Sequence, residues 1–185
     1  MLPLQIHLTL PPWIEEVADA QKRYLSDEER VGLAIELSRR NIQYGSGGPF
    51  GAAVFDEYGR LIAAAANRVV PQSCSVAHAE ILAYMAAQQR LARYRLNEQG
   101  GHYTLATSAQ PCCQCYGATV WAGIDTLLIG ARAEDVETLT EFDEGPLPAD
   151  WIGELERRGI AVRRDIRREE ARNVLAAYGA TGASY

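Results

Sequence analysis

Two short segments hold most of the chemically reactive side chains of this sequence: "SVAHAEILAY" at residues 75–84 and "SAQPCCQCYGA" at residues 108–118. The first places a histidine and a glutamate two positions apart, and the second contains three of the four cysteines. Each segment follows a predicted strand and opens a predicted helix. Because strand ends and helix starts meet on one side of an open α/β sheet, we expect the two segments to lie together.

The rest of the chain alternates between strand and helix patterns. "SDEE" predicts a helix start at Ser26, because a capping box pairs a serine with a glutamate three residues later. "EYGR" predicts a hairpin turn between two strands, and Pro111 is suited to the first turn of a helix. The predicted helices cover about residues 26–44, 77–95, 111–123 and 168–179, and the predicted strands about 51–56, 60–70, 102–109, 125–131 and 159–166. This order predicts an α/β fold: a three-layer α-β-α sandwich with a central mixed sheet of about five strands.

Length and composition indicate one compact domain, which we place at residues 26–185 behind a proline-punctuated arm at residues 1–25. That arm is expected to lie on the body or on a partner chain. The chain start lacks the basic segment of an export signal, and no apolar run reaches the roughly 18 residues that span a bilayer. We therefore expect a cytoplasmic protein without membrane contact, whose cysteines serve metal binding or catalysis rather than disulfides.

The charge distribution argues against a nucleic-acid partner. The net charge is −6, which is unfavourable for holding phosphates. The stretch 157–172 contains seven arginines, but Asp165, Glu169 and Glu170 are interleaved with them. This pattern favours a salt-bridged surface, although an anionic partner is the alternative interpretation.

His78, Cys112 and Cys115 are the candidate metal ligands. Cys112 and Cys115 lie one helical turn apart and so face the same way, whereas Cys113 and Cys115 would point to opposite sides. One histidine and two thiolates fill three corners of a tetrahedral zinc site and leave the fourth for water, which is the arrangement of catalytic zinc. We expect one zinc per chain, with Cys74 and Cys113 as packed, reduced thiols.

Glu80 is the candidate general base and acid. Two residues beyond the histidine it can lie beside the metal without binding it, take a proton from water and return it to a leaving group. Either motif alone would be weak, since a lone Cys-x-x-Cys is also found in redox pairs and structural zinc sites. Together, H-x-E followed by P-C-x-x-C is the signature of zinc-dependent nucleobase deaminases.

The chain resembles the cytidine-deaminase-like zinc deaminases, and within them the bacterial guanine deaminase branch. The resemblance extends from about Arg30 to Tyr178 through "GGPFGAAVF", "NRVVPQSCSVAHAEILA", "TSAQPCCQC", "GATVWAG" and "FDEGP". It implies that Asn67 hydrogen bonds the base, that Phe50 packs on it, and that Glu144 is a second catalytic carboxylate. Without the motif, these three would be interpreted as a turn residue, a core residue and a surface carboxylate.

The resemblance implies hydrolytic deamination of guanine to xanthine and ammonia, with aminotriazines such as ammeline as further candidates, by a homodimer that binds a small-molecule base. Two alternatives stay open: deamination of adenosine in tRNA, and a catalytically idle, zinc-stabilised binding module. The sequence departs from the family at Gln110, usually glutamate, and at Gln114, usually apolar, which puts the substrate in doubt more than the reaction. Whether Tyr178 or Tyr185 of the tail closes the pocket is open.

Overall fold

A five-stranded sheet between two layers of helices forms the centre of the molecule in a computed structural model, which describes residues 2 and 4–183. The strands are β1 (Gly51–Phe55), β2 (Leu61–Ala66), β3 (Thr104–Ala109), β4 (Thr126–Ala131) and β5 (Ala161–Arg163). The helices are α1 (Ile14–Val17), α2 (Asp27–Gln43), α3 (Ala79–Leu91), α4 (Cys113–Ala122), α5 (Ala133–Leu139), α6 (Trp151–Glu156) and α7 (Arg168–Gly179). The predicted α-β-α sandwich is confirmed.

The strand order is β2-β1-β3-β4-β5, and the sheet is mixed. β1 runs antiparallel to both β2 and β3, so the predicted hairpin is present. β3, β4 and β5 run parallel because helices connect them. The carboxyl ends of β3 and β4 therefore open on the same edge of the sheet.

Side chains alternate along the strands and so supply two separate cores. Ala53 and Phe55 face a core that includes residues of α1, α2, α5 and α7. Ala52 and Val54 face the opposite core, which includes residues of α3, α4 and α6. The segments 75–84 and 108–118 thus belong to neighbouring helices on one face of the sheet.

The structure corrects several predicted boundaries. Pro111 precedes the N-cap residue Cys112, so α4 begins at Cys113 and the proline is not in its first turn. The strand predicted over 159–166 has only three residues in the sheet, as β5. Three short helices, α1, α5 and α6, were not predicted, because four to seven residues are too few to show helical periodicity.

The predicted N-terminal arm packs on the body in part. Trp13, Ile14 and Tyr24 are buried, and the capping box of Ser26 and Glu29 forms as predicted at the start of α2. The division at residue 25 between arm and domain stays a prediction. Within the part of the chain that the structure describes, none of the helices is both long and apolar enough to span a bilayer.

Candidate active site

The two segments singled out in the sequence lie together. His78 is the N-cap residue of α3 and Cys112 is the N-cap residue of α4. The Nδ1 atom of His78 lies 3.5 Å from Sγ of Cys112 and 3.6 Å from Sγ of Cys115.

The three side chains fit a zinc ion. In a tetrahedral site with Zn–N near 2.1 Å and Zn–S near 2.3 Å, nitrogen and sulfur ligands are about 3.6 Å apart. The two observed separations, 3.5 and 3.6 Å, match that value. The donor atoms all lie within 4.8 Å of one another, and His78, Cys112 and Cys115 are the candidate metal-binding group found among the described residues.

The two thiols are electrostatically coupled. The hydrogen bond with Cys115 lowers the pKa of Cys112 to about 4, so Cys112 is a thiolate at neutral pH. The same hydrogen bond, together with burial, raises the pKa of Cys115. A thiolate is the form that binds zinc. The prediction that Cys113 is packed is wrong, since its side chain is exposed, while Cys74 is half-buried.

Two buried carboxyl groups line a cavity of about 290 Å³ beside these donors. Burial, followed by the charge of Cys112, raises the pKa of Glu80 to about 7 and that of Glu144 to about 8. The charge of Glu80 also contributes to the raised pKa of Glu144, so the two groups interact. The cavity is lined by Phe50, His78, Glu80, Gln110, Cys112, Glu141, Phe142, Asp143 and Glu144.

The loop that carries Glu144 is anchored to the start of α4. The backbone N–H of Cys113 donates to the carbonyl of Glu144 at 2.9 Å. Gly145 has a φ of +68°, and a Cβ there would lie 2.6 Å from Sγ of Cys113, so the glycine of "FDEGP" is required by both conformation and space. This anchor holds the Glu144 backbone beside the helix end that bears two zinc donors.

Three aromatic rings form a row that begins at the cavity. Phe50 and Phe142 both line it, with ring centroids 5.3 Å apart. Tyr178 of α7 stacks on Phe142, with centroids 5.7 Å apart. Phe142 was not singled out from the sequence, although it stands in the quoted motif "FDEGP". Tyr178 therefore supports the wall of the cavity through Phe142, whereas Tyr185 lies outside the described residues.

Asn67 is hydrogen bonded to the backbone of Phe50 and of two further residues. Its backbone N–H donates to the carbonyl of Phe50 at 3.0 Å, and its side-chain oxygen accepts from the N–H groups of Gly48 and Val69 at 3.3 and 3.2 Å. A Cβ at Gly47 would lie 1.9 Å from the Asn67 carbonyl oxygen, so the glycine allows this close approach. Asn67 is buried, and it is not among the described residues that line the 290 Å³ cavity.

Gln110 is buried on the wall of the same cavity. Glu80 and Glu144 already place two buried carboxyl groups there, and each raises the cost of ionising a neighbour. A glutamate at this position would add a third. The neutral amide therefore avoids a third negative charge on the wall of the cavity while keeping hydrogen-bonding capacity.

The architecture and this site define a class of protein. Zinc-dependent deaminases combine one histidine and two cysteines with a glutamate that does not bind the metal. This protein has the same combination of side chains on an α-β-α sandwich. Comparison with known proteins gives the family. The model of the cytidine and deoxycytidylate deaminase zinc-binding region matches residues 25–131, and the chain belongs to that family.

Several known proteins are similar to this chain over most of its length. A solved guanine deaminase from Nitrosomonas europaea is 43% identical with a TM-score of 0.91, covering 97% of this chain and 99% of that chain. A variant of the protein NE0047 in complex with 8-azaguanine is 44% identical with a TM-score of 0.90, covering 96% and 98%. These similarities confirm the predicted resemblance to the guanine deaminase branch.

Curated relatives include more than one kind of deaminase. The guanine deaminase of Bacillus subtilis is 34% identical over 111 residues, which is 60% of this chain and 68% of the relative. A tRNA-specific adenosine deaminase of Buchnera aphidicola is 32% identical over 128 residues, which is 69% of this chain and 77% of the relative. The class of reaction is therefore common to these relatives, whereas their substrates differ.

Proposed function

We propose that this protein hydrolyses guanine to xanthine and ammonia. The observation that carries the proposal is the pair of buried glutamates, Glu80 and Glu144, in one small cavity beside three zinc donors. A volume of about 290 Å³ is at the lower end of the roughly 300–1,000 Å³ of small-molecule pockets, which favours a single base. The similarity of this chain to a guanine deaminase and to a protein solved with 8-azaguanine supports guanine as that base.

The roles of the two glutamates follow from their surroundings. A zinc ion held by His78, Cys112 and Cys115 would lower the pKa of a water from 15.7 to about 7 and so supply the nucleophile. Glu80, with a pKa of about 7, is matched to accepting a proton at neutral pH and returning it to the departing amine. Burial, followed by the charge of Cys112, raises the pKa of Glu144 to about 8, so its protonated form is favoured relative to that of an ordinary glutamate.

A proton on Glu144 suits guanine chemistry. The reacting carbon of guanine lies between two ring nitrogens, so attack on it places negative charge on the ring, and a ring nitrogen must gain a proton. Glu80 already exchanges a proton with the water. In the proposal Glu144 donates the proton that the ring nitrogen gains, and it takes up the proton of the added hydroxyl when the C–N bond breaks and the product carbonyl forms. Phe50 packs on the ring, and Asn67 hydrogen bonds its edge.

Deamination of adenosine in tRNA is the second candidate, favoured by the similarity to tRNA-specific deaminases. The arginines at 157–172 give it little support. Six of the seven, Arg157, Arg158, Arg163, Arg167, Arg168 and Arg172, form ion pairs with carboxylates. The guanidinium of Arg164 lies over the ring of Trp151. An idle binding module is disfavoured by Glu80, a buried carboxyl group beside the zinc donors whose raised pKa suits proton transfer.

Ammonia release from a panel of substrates tests the proposal. The zinc-loaded protein is incubated with guanine, adenine, cytosine, guanosine, ammeline and tRNA, and kcat/KM is compared. We expect guanine to be the best substrate and tRNA to release no ammonia. Release from tRNA adenosine, with none from guanine, would replace the proposal by its alternative.

We also propose that the protein is a homodimer joined through the outer faces of α3 and α4. The segment "CQCYGATVWA" of α4 contains no charged residue, yet only Cys115, Thr119 and Ala122 are buried. A helix that is apolar on all sides is normally covered. Trp121 and Tyr94, exposed by 74% and 79%, flank a groove with Met85. At about 200 Å² per aromatic side chain they expose about 300 Å², more than a third of the roughly 800 Å² that each partner contributes to a standard interface.

The solution mass tests the dimer. Light scattering should give twice the chain mass of 20.3 kDa, and Trp121→Glu should give the single mass. Tyr58→Glu is the control, because Tyr58 is also exposed but lies at the β1–β2 turn. A monomeric parent protein would contradict the proposal.

The cytoplasmic location also stays a prediction, supported by the need of Cys112 and Cys115 for a reducing compartment.

A further inference from the structure

A buried hydrogen bond joins α3 to α4 one turn behind the zinc donors. The hydroxyl oxygen of Tyr84 lies 2.7 Å from Oγ1 of Thr119, and both residues are buried. Tyr84 follows Glu80 by four residues, and Thr119 follows Cys115 by four. Residues four apart on a helix lie on the same face, one above the other, so this pair lies directly behind the catalytic side of both helices.

The direction of these hydrogen bonds follows from counting protons. Oγ1 of Thr119 lies 2.8 Å from the carbonyl oxygen of Cys115, which can only accept. The single hydroxyl proton of Thr119 is therefore used on Cys115, and Tyr84 must donate to Thr119. The chain from Tyr84 through Thr119 to Cys115 is complete, and it ends on the backbone of a zinc donor.

We propose that Tyr84 and Thr119 are positioning residues that hold the two donor-bearing helices at the separation zinc requires. His78 comes from the start of α3, whereas Cys112 and Cys115 come from the start of α4. The distances of 3.5 and 3.6 Å between their donor atoms therefore depend on the relative placement of two helices. A polar bridge one turn away restricts that placement, as contacts behind metal ligands do in other proteins. The proposal concerns the zinc site and not the identity of the base. It can therefore fail while guanine remains the substrate, and it can hold if another base is the substrate.

The test is the rate at which a chelator removes zinc from the holoenzyme. Tyr84→Phe keeps the ring and removes the hydroxyl, and Thr119→Val keeps the shape and removes both hydrogen bonds. We expect each to release zinc about tenfold faster than the parent, in line with the 10- to 100-fold effects of residues behind metal ligands. Thr119→Ser retains the hydroxyl and should restore slow release. If Tyr84→Phe does not fold, the proposal is tested by whether Thr119→Val releases zinc about tenfold faster than Thr119→Ser does.

Tyr24→Phe is the matched control for a purely structural effect. Tyr24 is as buried as Tyr84, at 4% against 3% exposure, and its hydroxyl also makes a hydrogen bond, but it packs in the core on the opposite face of the sheet. We expect Tyr24→Phe to lower the stability to denaturant and leave zinc release unchanged. Release within twofold of the parent in folded Tyr84→Phe and Thr119→Val would overturn the proposal.

Discussion

Asp135 should stabilise the fold more than an exposed carboxylate does, because it is buried and paired with two arginines. It lies in the first turn of α5 and is 2% exposed. Its two oxygens accept from Nε and Nη2 of Arg168 on α7 at 2.7 and 2.8 Å, and it also pairs with Arg172. The backbone N–H of Arg132 donates to it at 2.9 Å. The carboxylate therefore joins α5, which precedes the loop carrying Glu144, to α7, whose Tyr178 stacks on Phe142 of that loop.

The pKa of Asp135 gives the size of the effect. Hydrogen bonds from Arg168, with smaller contributions from Arg132 and Arg172, lower the pKa from the ordinary 3.8 to about 2, against the opposing effect of burial. Each pKa unit corresponds to ~1.36 kcal/mol, so the ionised carboxylate stabilises the fold by about 2 kcal/mol. Because the folded pKa is the lower one, this stability is fully present above pH 4 and is lost as the pH falls toward 2.

The assay is urea unfolding of the parent and Asp135→Asn between pH 2 and 7. Asparagine keeps the shape and one acceptor oxygen, but it removes the charge and replaces the second oxygen, which accepts from an arginine, with an amide donor. We expect the variant to be less stable by about 2 kcal/mol at pH 7, with the difference shrinking below pH 4. The parent and the variant are compared at the same pH, so loss of zinc in acid affects both and cancels from the difference between their free energies of unfolding. Turnover at 25 °C should stay close to that of the parent.

Asp165→Asn is the control. Asp165 pairs with Arg132 at 2.7 Å, but its side chain is 38% exposed, and exposed pairs contribute at most about 1 kcal/mol. The reasoning is refuted if Asp135→Asn costs less than Asp165→Asn at pH 7, or if the difference between parent and Asp135→Asn is the same at pH 3 as at pH 7.

Four further predictions concern the site itself. Cys115→Ala should lose the single bound zinc and with it activity, measured by metal analysis, and a metal-free protein that still deaminates would contradict the zinc site. Glu80→Gln should keep zinc but lose about 10²-fold or more in turnover; near-normal rates in the zinc-loaded variant would move the proton transfer to another group. Asn67→Ala should lower kcat/KM for guanine by the equivalent of about 1–3 kcal/mol with normal zinc content, and an unchanged value would end the base-anchoring role. Glu144→Gln should bind guanine and zinc but lose most turnover, whereas Asp143→Asn should be much milder; equal effects would reduce the "FDEGP" motif to a structural role.

The order of strands and helices was predictable because each element carries its own local pattern. Ser26 and Glu29 are three residues apart, and this spacing alone specifies a capping box that the structure contains. The exact start of α4 was less predictable. Pro111 is compatible with a first turn and with the position before the N-cap, and in the structure it occupies the position before the N-cap.

The zinc donors were identifiable from spacing, since His78 and Glu80 share one helix start and Cys112 and Cys115 share another. Contacts between distant segments were not. The 5.3 Å separation of Phe50 and Phe142, the bond from Tyr84 to Thr119, and the pairing of Asp135 with Arg168 join residues 33 to 92 positions apart. No local pattern encodes such distances.

The sequence by itself determined the class of chemistry, because metal ligands and a neighbouring base need only short spacings on helix starts. The resemblance named Glu144 and Phe50, but only the tertiary structure placed Glu144 in the same cavity as Glu80, set Phe142 beside Phe50, and joined Tyr84 to Thr119 behind the zinc donors. These placements depend on how separate elements pack across the sheet.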